Sequence, residues 1–194
     1  MGKEELIFGS ILMGVILGSV MIISHLISKY LPSSAKIPQF IYTWLIFTSI
    51  ITLWDLGFVL NRPHSISNPI WKASYGIYIE VDTLYDDLND DFIYSVALMN
   101  LVEVVLNIIS LLTLCTRNYK GASILALIAS SMTLSKTMLY FMMEVVGGFK
   151  HTGHNDAITL FTFYLFPNLI WIFVPLIAIY SISLAFIDGQ IKVE

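Results

Sequence analysis

Asp55, Glu103 and Lys136 each fall inside a long apolar stretch of the chain. Ionisable groups at membrane depth are costly, and they usually face a bundle interior or a cavity. A buried carboxylate and a buried ammonium could exchange a proton with a bound molecule, which makes these three residues the candidate catalytic residues. Two other interpretations stay open. Glu103 and Lys136 could form an ion pair that neutralises both, and Asp55 could lie near the membrane interface and accept hydrogen bonds from loop groups.

Other polar and aromatic side chains recur at three- and four-residue steps, which places them together on helix faces. Asn100 and Asn107 share a face with Glu103. Such faces suit either a ligand or helix-to-helix hydrogen bonds, and the π-face of Trp171 could hold a cation. Pro167 and Pro175 have no backbone N–H, so we expect backbone carbonyls without a helical hydrogen bond and a kink in the last helix. The candidate ligand-binding residues are Thr52, Asn107, Tyr140, Glu144, Tyr164, Asn168 and Trp171.

His151, His154 and Asp156 stand close together before the last apolar stretch, where a metal site could be proposed. The spacing is loose for metal ligands, and loop His and Asp residues more often cap helices or bind water. The whole chain contains four histidines, too few for a histidine-rich di-iron centre. We therefore expect no metal site here, and we predict that this loop closes one end of a helix bundle and caps the last helix.

The composition indicates which elements must position these residues. Of 194 residues, 57% are hydrophobic and 12% are charged, and the mean hydropathy is +0.79, whereas soluble domains average about 25% charged residues. A bilayer core needs about 20 apolar residues of helix. The net charge of -4 and the lack of a basic stripe argue against nucleic-acid binding. Five stretches are long enough to span, at approximately 6–28, 39–60, 93–115, 121–146 and 158–187.

These stretches predict an all-α integral membrane protein, a five-transmembrane-helix bundle. Residues 1–37 hold the first transmembrane helix and its connection, residues 38–187 form a four-helix membrane domain, and residues 188–194 are a short tail. Lysines and arginines are denser in the short loops on the side of the C-terminus. The positive-inside rule therefore predicts a cytosolic C-terminus.

Two stretches resemble a known family. The first is LYFMMEVVGGFKHTGHNDAITLFTFYLFPNLIW, with Tyr-Phe-x-x-Glu, Gly-Phe-x-His and Asn-x-x-Trp, and the second is IWKASYGIYIEVDTLY. Both are similar to the emopamil-binding proteins, the sterol Δ8–Δ7 isomerases, within the wider group of EXPERA-domain membrane proteins. The resemblance covers roughly residues 40–187, and Glu103 falls where the family places a carboxylate in its third span.

The resemblance implies an activity and residue roles. Family members protonate a sterol double bond, hold the carbocation against a Trp and carboxylates, and remove a proton from a neighbouring carbon. Asn168 and Trp171 then match the cation-stabilising pair, and Glu103 matches a proton-handling acid. One departure stands out: where the family's second span has a His followed four residues later by a Glu, this chain has Thr52 and, one position out of register, Asp55. The resemblance also implies residence in the endoplasmic reticulum.

Two functions follow as expectations. The first is a cofactor-free membrane isomerase of a sterol or terpenoid-like lipid. The second is a non-catalytic EXPERA protein that binds sterols or cationic amphiphiles and regulates lipid or membrane-protein traffic, and the absent histidine favours it. The expected partners are such a ligand and the lipid bilayer, and a homodimer is allowed. A transporter has less support, because no inverted repeat or pair of broken helices is visible.

Overall fold

The computed structural model describes residues 38–191 continuously, together with scattered positions between residues 11 and 29. The predicted first span, residues 6–28, therefore lies largely outside the described residues. Its connection to the second span and residues 192–194 lie outside them as well.

The described residues between 38 and 191 are mostly helical and contain no strand. Four helical stretches are long and apolar enough to cross a membrane, so the predicted helices at 39–60, 93–115, 121–146 and 158–187 are confirmed to within two residues at each end. The elements are α1 Gln39–Leu60, α2 His64–Ser67, α3 Pro69–Val81, a 3₁₀ turn Thr83–Tyr85, α4 Asp91–Cys115, α5 Tyr119–Val146, α6 Ala157–Leu160, a π-helical turn Phe161–Leu165 and α7 Phe166–Ile187.

The long helices pack in the order α1, α4, α5, α7. The backbones of α1 and α7 approach each other closely at only a few positions. Large side chains bridge that gap instead, because the rings of Trp44 and Trp171 lie 5.3 Å apart between their centroids. The contact between α1 and α7 is therefore looser at the backbone than the α1–α4, α4–α5 and α5–α7 contacts.

On helix α4 the exposed side chains are mostly apolar, and the polar side chains near its middle face the other helices. Its outward face is apolar and exposed, as at Leu98, Val102 and Leu112, whereas Asn100 and Glu103 are buried against neighbouring helices. Apolar side chains outside and polar side chains inside are typical of helices surrounded by lipid. This architecture suggests a multi-pass membrane protein.

The connection between α1 and α4 folds back along α1. Helix α3 begins after Asn68, whose side chain accepts a hydrogen bond from the backbone N–H of Ile70, as an N-cap does. The ring of Tyr75 stacks on Phe58 of α1, with 4.0 Å between centroids. Buried Arg62 donates to the carbonyl oxygen of Tyr85 at 2.9 Å. These contacts place the aromatic face of α3 over the Asp55 end of α1.

The last span is interrupted where proline was predicted to disturb it. The π-helical turn Phe161–Leu165 ends two residues before Pro167, which has no backbone N–H to continue the α-helical ladder. Pro175 is accommodated inside α7. Single π turns inside helices occur often at functional sites, and this one turns Tyr164 into the bundle, where it is buried.

Candidate functional site

A buried ion pair joins α4 to α5 near the middle of the bundle. The Nζ of Lys136 lies 2.8 Å from the Oε1 of Glu103, and both side chains are almost fully buried. The Thr133 hydroxyl donates to the Oε2 of Glu103 at 2.8 Å. Since Glu103 follows Asp91 by twelve residues, the pair lies about 18 Å along α4, measured at about 1.5 Å per residue. Buried charges need such partners to be tolerated.

Asn100 extends this pair across to α1. Its Oδ1 accepts a hydrogen bond from the Nζ of Lys136, and its Nδ2 donates to the Oδ2 of Asp55 at 3.1 Å. Asp55, Asn100, Lys136 and Glu103 thus form a continuous hydrogen-bonded row over three helices, which we call the acid–base row. The structure brings together all three candidate catalytic residues. Two carboxylates and one ammonium leave the row with one net negative charge when all three are ionised.

Two phenols from the α1–α4 connection hold the other side of Asp55. The hydroxyls of Tyr75 and Tyr85 donate to its Oδ1 at 2.9 and 3.0 Å. Burial raises the pKa of both tyrosines well above the ordinary value, and the charge of Asp55 raises it further. Both phenols therefore stay protonated as donors. The side chain of Asp55 remains half-buried, so part of it is not covered by protein.

The connection supplies site residues that the sequence analysis did not select. Tyr75, Tyr78, Asp82 and Tyr85 recur at three- and four-residue steps, and all four face the bundle. This three- and four-residue spacing could have identified the four residues from the sequence, because it places three aromatic rings and one carboxylate on a common face. The side chain of Asn168 lies beside Tyr78, where it opposes the rise in pKa that burial causes in this tyrosine.

Asp82 forms a second polar cluster nearer the end of the bundle. The hydroxyl of Tyr140 donates to its Oδ2, and the backbone N–H of Leu84 donates to its Oδ1 at 3.1 Å. Burial raises the pKa of Asp82 to about 6, against the opposing effect of these hydrogen bonds. Tyr140, a candidate ligand-binding residue, is thus bonded to this connection and not to Glu103.

Glu144, another candidate, is bound by the loop that follows its own helix. His151 Nδ1 lies 2.6 Å from its Oε1, and the hydroxyl and backbone N–H of Thr152 donate to its Oε2 at 2.6 and 3.1 Å. The His154 ring contacts the carbonyl oxygen of Glu80 at 2.8 Å. The loop therefore fastens α5 to the connection after α1. We call the four residues Glu144, His151, Thr152 and Asp82 the loop-side cluster.

Asp156 has the capping role expected from the sequence. Its side chain accepts hydrogen bonds from the backbone N–H groups of Ile158 and Thr159 at the start of the last span. His151, His154 and Asp156 thus bind three separate partners. Among the described residues, no group of three His, Cys, Asp or Glu side chains is arranged to hold a metal ion.

Trp171, Asn168 and Tyr164 line the inward side of the last span. Trp171 and Asn168 are half-buried, and the Asn168 Nδ2 donates to the Tyr164 carbonyl oxygen at 2.8 Å. Tyr164 packs against Tyr140, with 6.1 Å between ring centroids. Trp171 meets Trp44 of α1 at the loose α1–α7 contact. The candidates of this span therefore lie across the bundle from the α4 part of the acid–base row.

Thr52 and Asn107 are both bonded within the scaffold. The Thr52 hydroxyl donates to the backbone carbonyl of Thr48 in its own helix at 2.6 Å. The Asn107 Nδ2 lies 3.2 Å from the hydroxyls of both Thr48 and Ser49, which links α4 to α1. The Asn107 bonds match the helix-to-helix role that was the alternative for such residues.

A scan against models of known protein families and a search of curated proteins find no match for this chain. The geometry of the acid–base row and its surroundings must therefore support any functional assignment.

Proposed function

We propose that this chain is a membrane-embedded isomerase that moves a double bond in a sterol or terpenoid-like lipid through a protonated, carbocationic intermediate. The observation that carries the proposal is the acid–base row: a carboxylate–ammonium pair and a second carboxylate lie in hydrogen-bonded succession inside an apolar bundle. Such groups are expensive at membrane depth and mark functional sites by default.

The proton-transfer steps follow from the charges of the row. The Glu103–Lys136 pair gives one proton to a carbon of the double bond, whose π electrons form the new C–H bond and leave a cation on the adjacent carbon. Loss of that proton leaves one added negative charge on the pair, beside the new cation. Asp55 then removes a proton from the next carbon, and the released electron pair forms the shifted double bond. The reaction needs no oxidant, reductant or cofactor.

The surroundings favour the cation over the neutral lipid. The net negative charge of the acid–base row attracts a developing positive charge, and fixed groups in a dry site stabilise charge more strongly than water does. The half-buried ring of Trp171 offers a π-face, and the Asn168 side chain beside it adds a dipole. A site that binds the cation better than the substrate accelerates the reaction.

The loose contact between α1 and α7 supports a route for a lipid. Few backbone positions of these helices approach closely, and Trp44 and Trp171 fill the intervening space with side chains that can change rotamer. We propose that the lipid enters between these helices and reaches Asp55, which is half-buried. In this proposal the chain spans the endoplasmic reticulum membrane five times, with its C-terminus in the cytosol.

A second candidate is a protein that binds sterols or cationic amphiphiles without converting them. Two observations favour it. Lys136 already neutralises Glu103, and the hydroxyl of Thr52, which stands where the resembling family has a histidine, is bonded to its own helix. Asp55 would then be the counter-ion of an amine ligand, held in place by Tyr75 and Tyr85.

The sterol composition of cells tests the two candidates against each other. The native chain is expressed in cells that lack their own Δ8–Δ7 isomerase, beside a Glu103→Gln variant and an Ile182→Ala variant whose lesion lies in the apolar core away from the row. The isomerase predicts Δ7 sterols with the native and Ile182→Ala chains and none with Glu103→Gln. Unchanged Δ8 sterols in all three, with folded protein present, would favour the binding protein.

A further inference from the structure

A row of polar side chains continues from Glu103 toward the turn between α4 and α5. On α4, Glu103, Asn107 and Ser110 follow each other at four- and three-residue steps, so they lie on one face. Helix α5 presents the opposing residues, and α1 adds one tyrosine. We call this set the polar seam, and its members are Tyr42, Glu103, Asn107, Ser110, Tyr119, Ser123, Ser130 and Thr133, all of them buried.

Contacts at both ends of the seam fix the pairing of the two helices. At one end the Thr133 hydroxyl donates to Glu103, and at the other the Ser110 hydroxyl donates to the Ala122 carbonyl at 2.7 Å. Because α4 and α5 are antiparallel neighbours, Ser130 and Asn107 lie between these ends. The distance from Glu103 to Ser110 along α4 is about 10 Å at 1.5 Å per residue.

Three oxygen atoms in this short stretch have no protein hydrogen-bond partner. They are the hydroxyls of Tyr119 and Ser130 and the Oδ1 of Asn107. Their residues are 5%, 1% and 4% exposed, in that order. The Tyr42 hydroxyl lies beside the Ser123 hydroxyl. A buried polar atom without a partner costs about 1–3 kcal/mol, and native proteins satisfy the great majority of such atoms with protein or ordered water. Three together are unusual.

The chemistry of these atoms points to water as the partner. All three belong to neutral groups, and the two hydroxyls can both donate and accept, as a chain of waters requires. Alanines at 122, 126 and 129 occupy the buried face of α5 along the seam, so the side chains that separate the two helices are small. A charged or bulky ligand has no complement here, whereas buried waters typically make about three hydrogen bonds each to such groups.

We infer that ordered waters occupy the polar seam and link the Glu103–Lys136 pair to the membrane face at Tyr42 and Tyr119. We call these waters the water file, and the role that we give them rests on the proposed function. After each turnover the pair lacks the proton that it gave to the lipid, and Asp55 holds the proton that it removed, so the acid–base row as a whole has neither gained nor lost a proton. Asp55 returns its proton to the row, and the seam lets the pair exchange protons with water at the α4–α5 turn, away from the lipid-binding side.

Radiolytic hydroxyl-radical footprinting of the full chain in nanodiscs tests the waters without any need for activity. Ordered buried waters generate radicals in place, so the rings next to them are oxidised despite burial. We expect Tyr42 and Tyr119 to be labelled clearly above Phe58, a ring that is 0% exposed in the apolar core. Mixing with ¹⁸O-water before the pulse should place ¹⁸O on both tyrosines if the file exchanges with bulk water. Labelling no higher than that of Phe58 would overturn the inference.

A Ser130→Val variant fills the seam, and Ser131→Val is its matched control, because the Ser131 hydroxyl bonds the Leu127 carbonyl of its own helix. We expect slower ¹⁸O exchange at Tyr42 and Tyr119 in Ser130→Val only, and less solvent deuterium in the sterol that the same variant converts in D₂O. Equal exchange in both variants would contradict a continuous file. Labelled tyrosines in a chain without isomerase activity would remove the proposed function and leave the water file standing. Isomerase activity with unlabelled tyrosines would overturn the water inference and leave the proposed function standing.

Discussion

The ammonium of Lys136 and the carboxylate of Glu103 meet at 2.8 Å inside a bundle whose outer surface is apolar. The two residues come from neighbouring antiparallel helices, and no water-facing surface is available to either. The pair therefore holds α4 and α5 in register, and it also places one transferable proton next to the site that we assign to a lipid. These two roles can be separated by mutation.

Removing one member of the pair should destabilise the protein strongly. Glu103→Gln leaves a buried ammonium without its counter-charge, and breaking a buried pair in this way costs about 3–5 kcal/mol. The measurement is thermal unfolding in detergent, with Ile182→Ala as a variant of comparable destabilisation, since Ile182 is buried in the apolar core.

Removing both charges should restore much of the lost stability. In a Glu103→Leu, Lys136→Met double variant no charge is left unpaired, and replacement of a buried pair by apolar side chains of similar volume is often neutral. We expect unfolding close to that of the native chain but no product. A double variant as unstable as the sum of the single variants would show that the pair does not neutralise itself in the native bundle.

Asp55→Asn should abolish binding of cationic amphiphiles while it preserves the fold. The amide oxygen can still accept from Tyr75 and Tyr85, so the connection stays in place, but the hydrogen bond from Asn100 and the net negative charge of the acid–base row disappear. Binding of a hydrophobic amine is measured by calorimetry in nanodiscs. Asp86→Asn serves as the control, because Asp86 belongs to the same connection and is exposed. Equal loss of affinity in both variants would argue for a surface-charge effect.

The loop-side cluster should make stability depend on pH through Asp82. Burial raises the pKa of this carboxyl from 3.8 to about 6. The folded state therefore binds a proton before the unfolded state does, and the stabilisation is fully present below about pH 4 and lost as pH rises through about 6. The folded and unfolded pKa values of Asp82 differ by about two pKa units. Since one pKa unit corresponds to about 1.4 kcal/mol, protonation of Asp82 adds about 3 kcal/mol at most to the free energy of unfolding.

An Asp82→Asn variant isolates this contribution. The Oδ1 of Asn can still cap the turn at Leu84, its Nδ2 can donate to the Tyr140 hydroxyl oxygen in place of the bond that Asp82 accepts there, and it does not titrate. We expect the native chain to gain stability relative to the variant when the pH falls from 7 to 4, as measured by denaturant unfolding at each pH. A constant difference between the two proteins over this range would show that Asp82 does not carry the pH dependence.

The loop that binds Glu144 should open when its two donors are removed. Each hydrogen bond to the buried carboxylate is worth about 1.5–3 kcal/mol, so a His151→Ala, Thr152→Val variant should lose amide protection over residues 147–156 in hydrogen-exchange mass spectrometry. His154→Ala is the matched control, because the exposed His154 ring makes one bond to a backbone carbonyl. Equal exchange in the two variants would contradict a loop fastened through Glu144.

The extent to which the sequence predicted the fold follows from the kind of signal each part carries. Length and hydropathy define a span almost by themselves, which is why the helices ending at Leu60, Cys115, Val146 and Ile187 were predicted within two residues. Three-residue and four-residue spacing likewise placed Asn100, Glu103 and Asn107 on one buried face. The π-helical turn was not predicted, because Pro167 indicates a disturbed ladder without specifying its form.

The partners of each polar residue could not be read from the sequence. Glu144 and Lys136 share a face of α5, yet one binds the following loop and the other binds Glu103, because they lie about two turns apart along the helix. Asp55 depends on Tyr75 and Tyr85, whose positions are set by how the connection folds back on α1. Such pairings depend on tertiary packing, which periodicity within one helix does not report.

The most direct test of the proposed isomerase is deuterium uptake by purified protein. The native chain in nanodiscs is incubated in D₂O with a Δ8 sterol, and the sterols are analysed by mass spectrometry beside the Glu103→Leu, Lys136→Met and Asp55→Asn variants. Protonation by the acid–base row predicts a Δ7 product that carries one solvent deuterium. The native chain should form it, whereas the Glu103→Leu, Lys136→Met double variant and the Asp55→Asn single variant should not. No product from folded native protein, or a product without deuterium, would contradict the proposal.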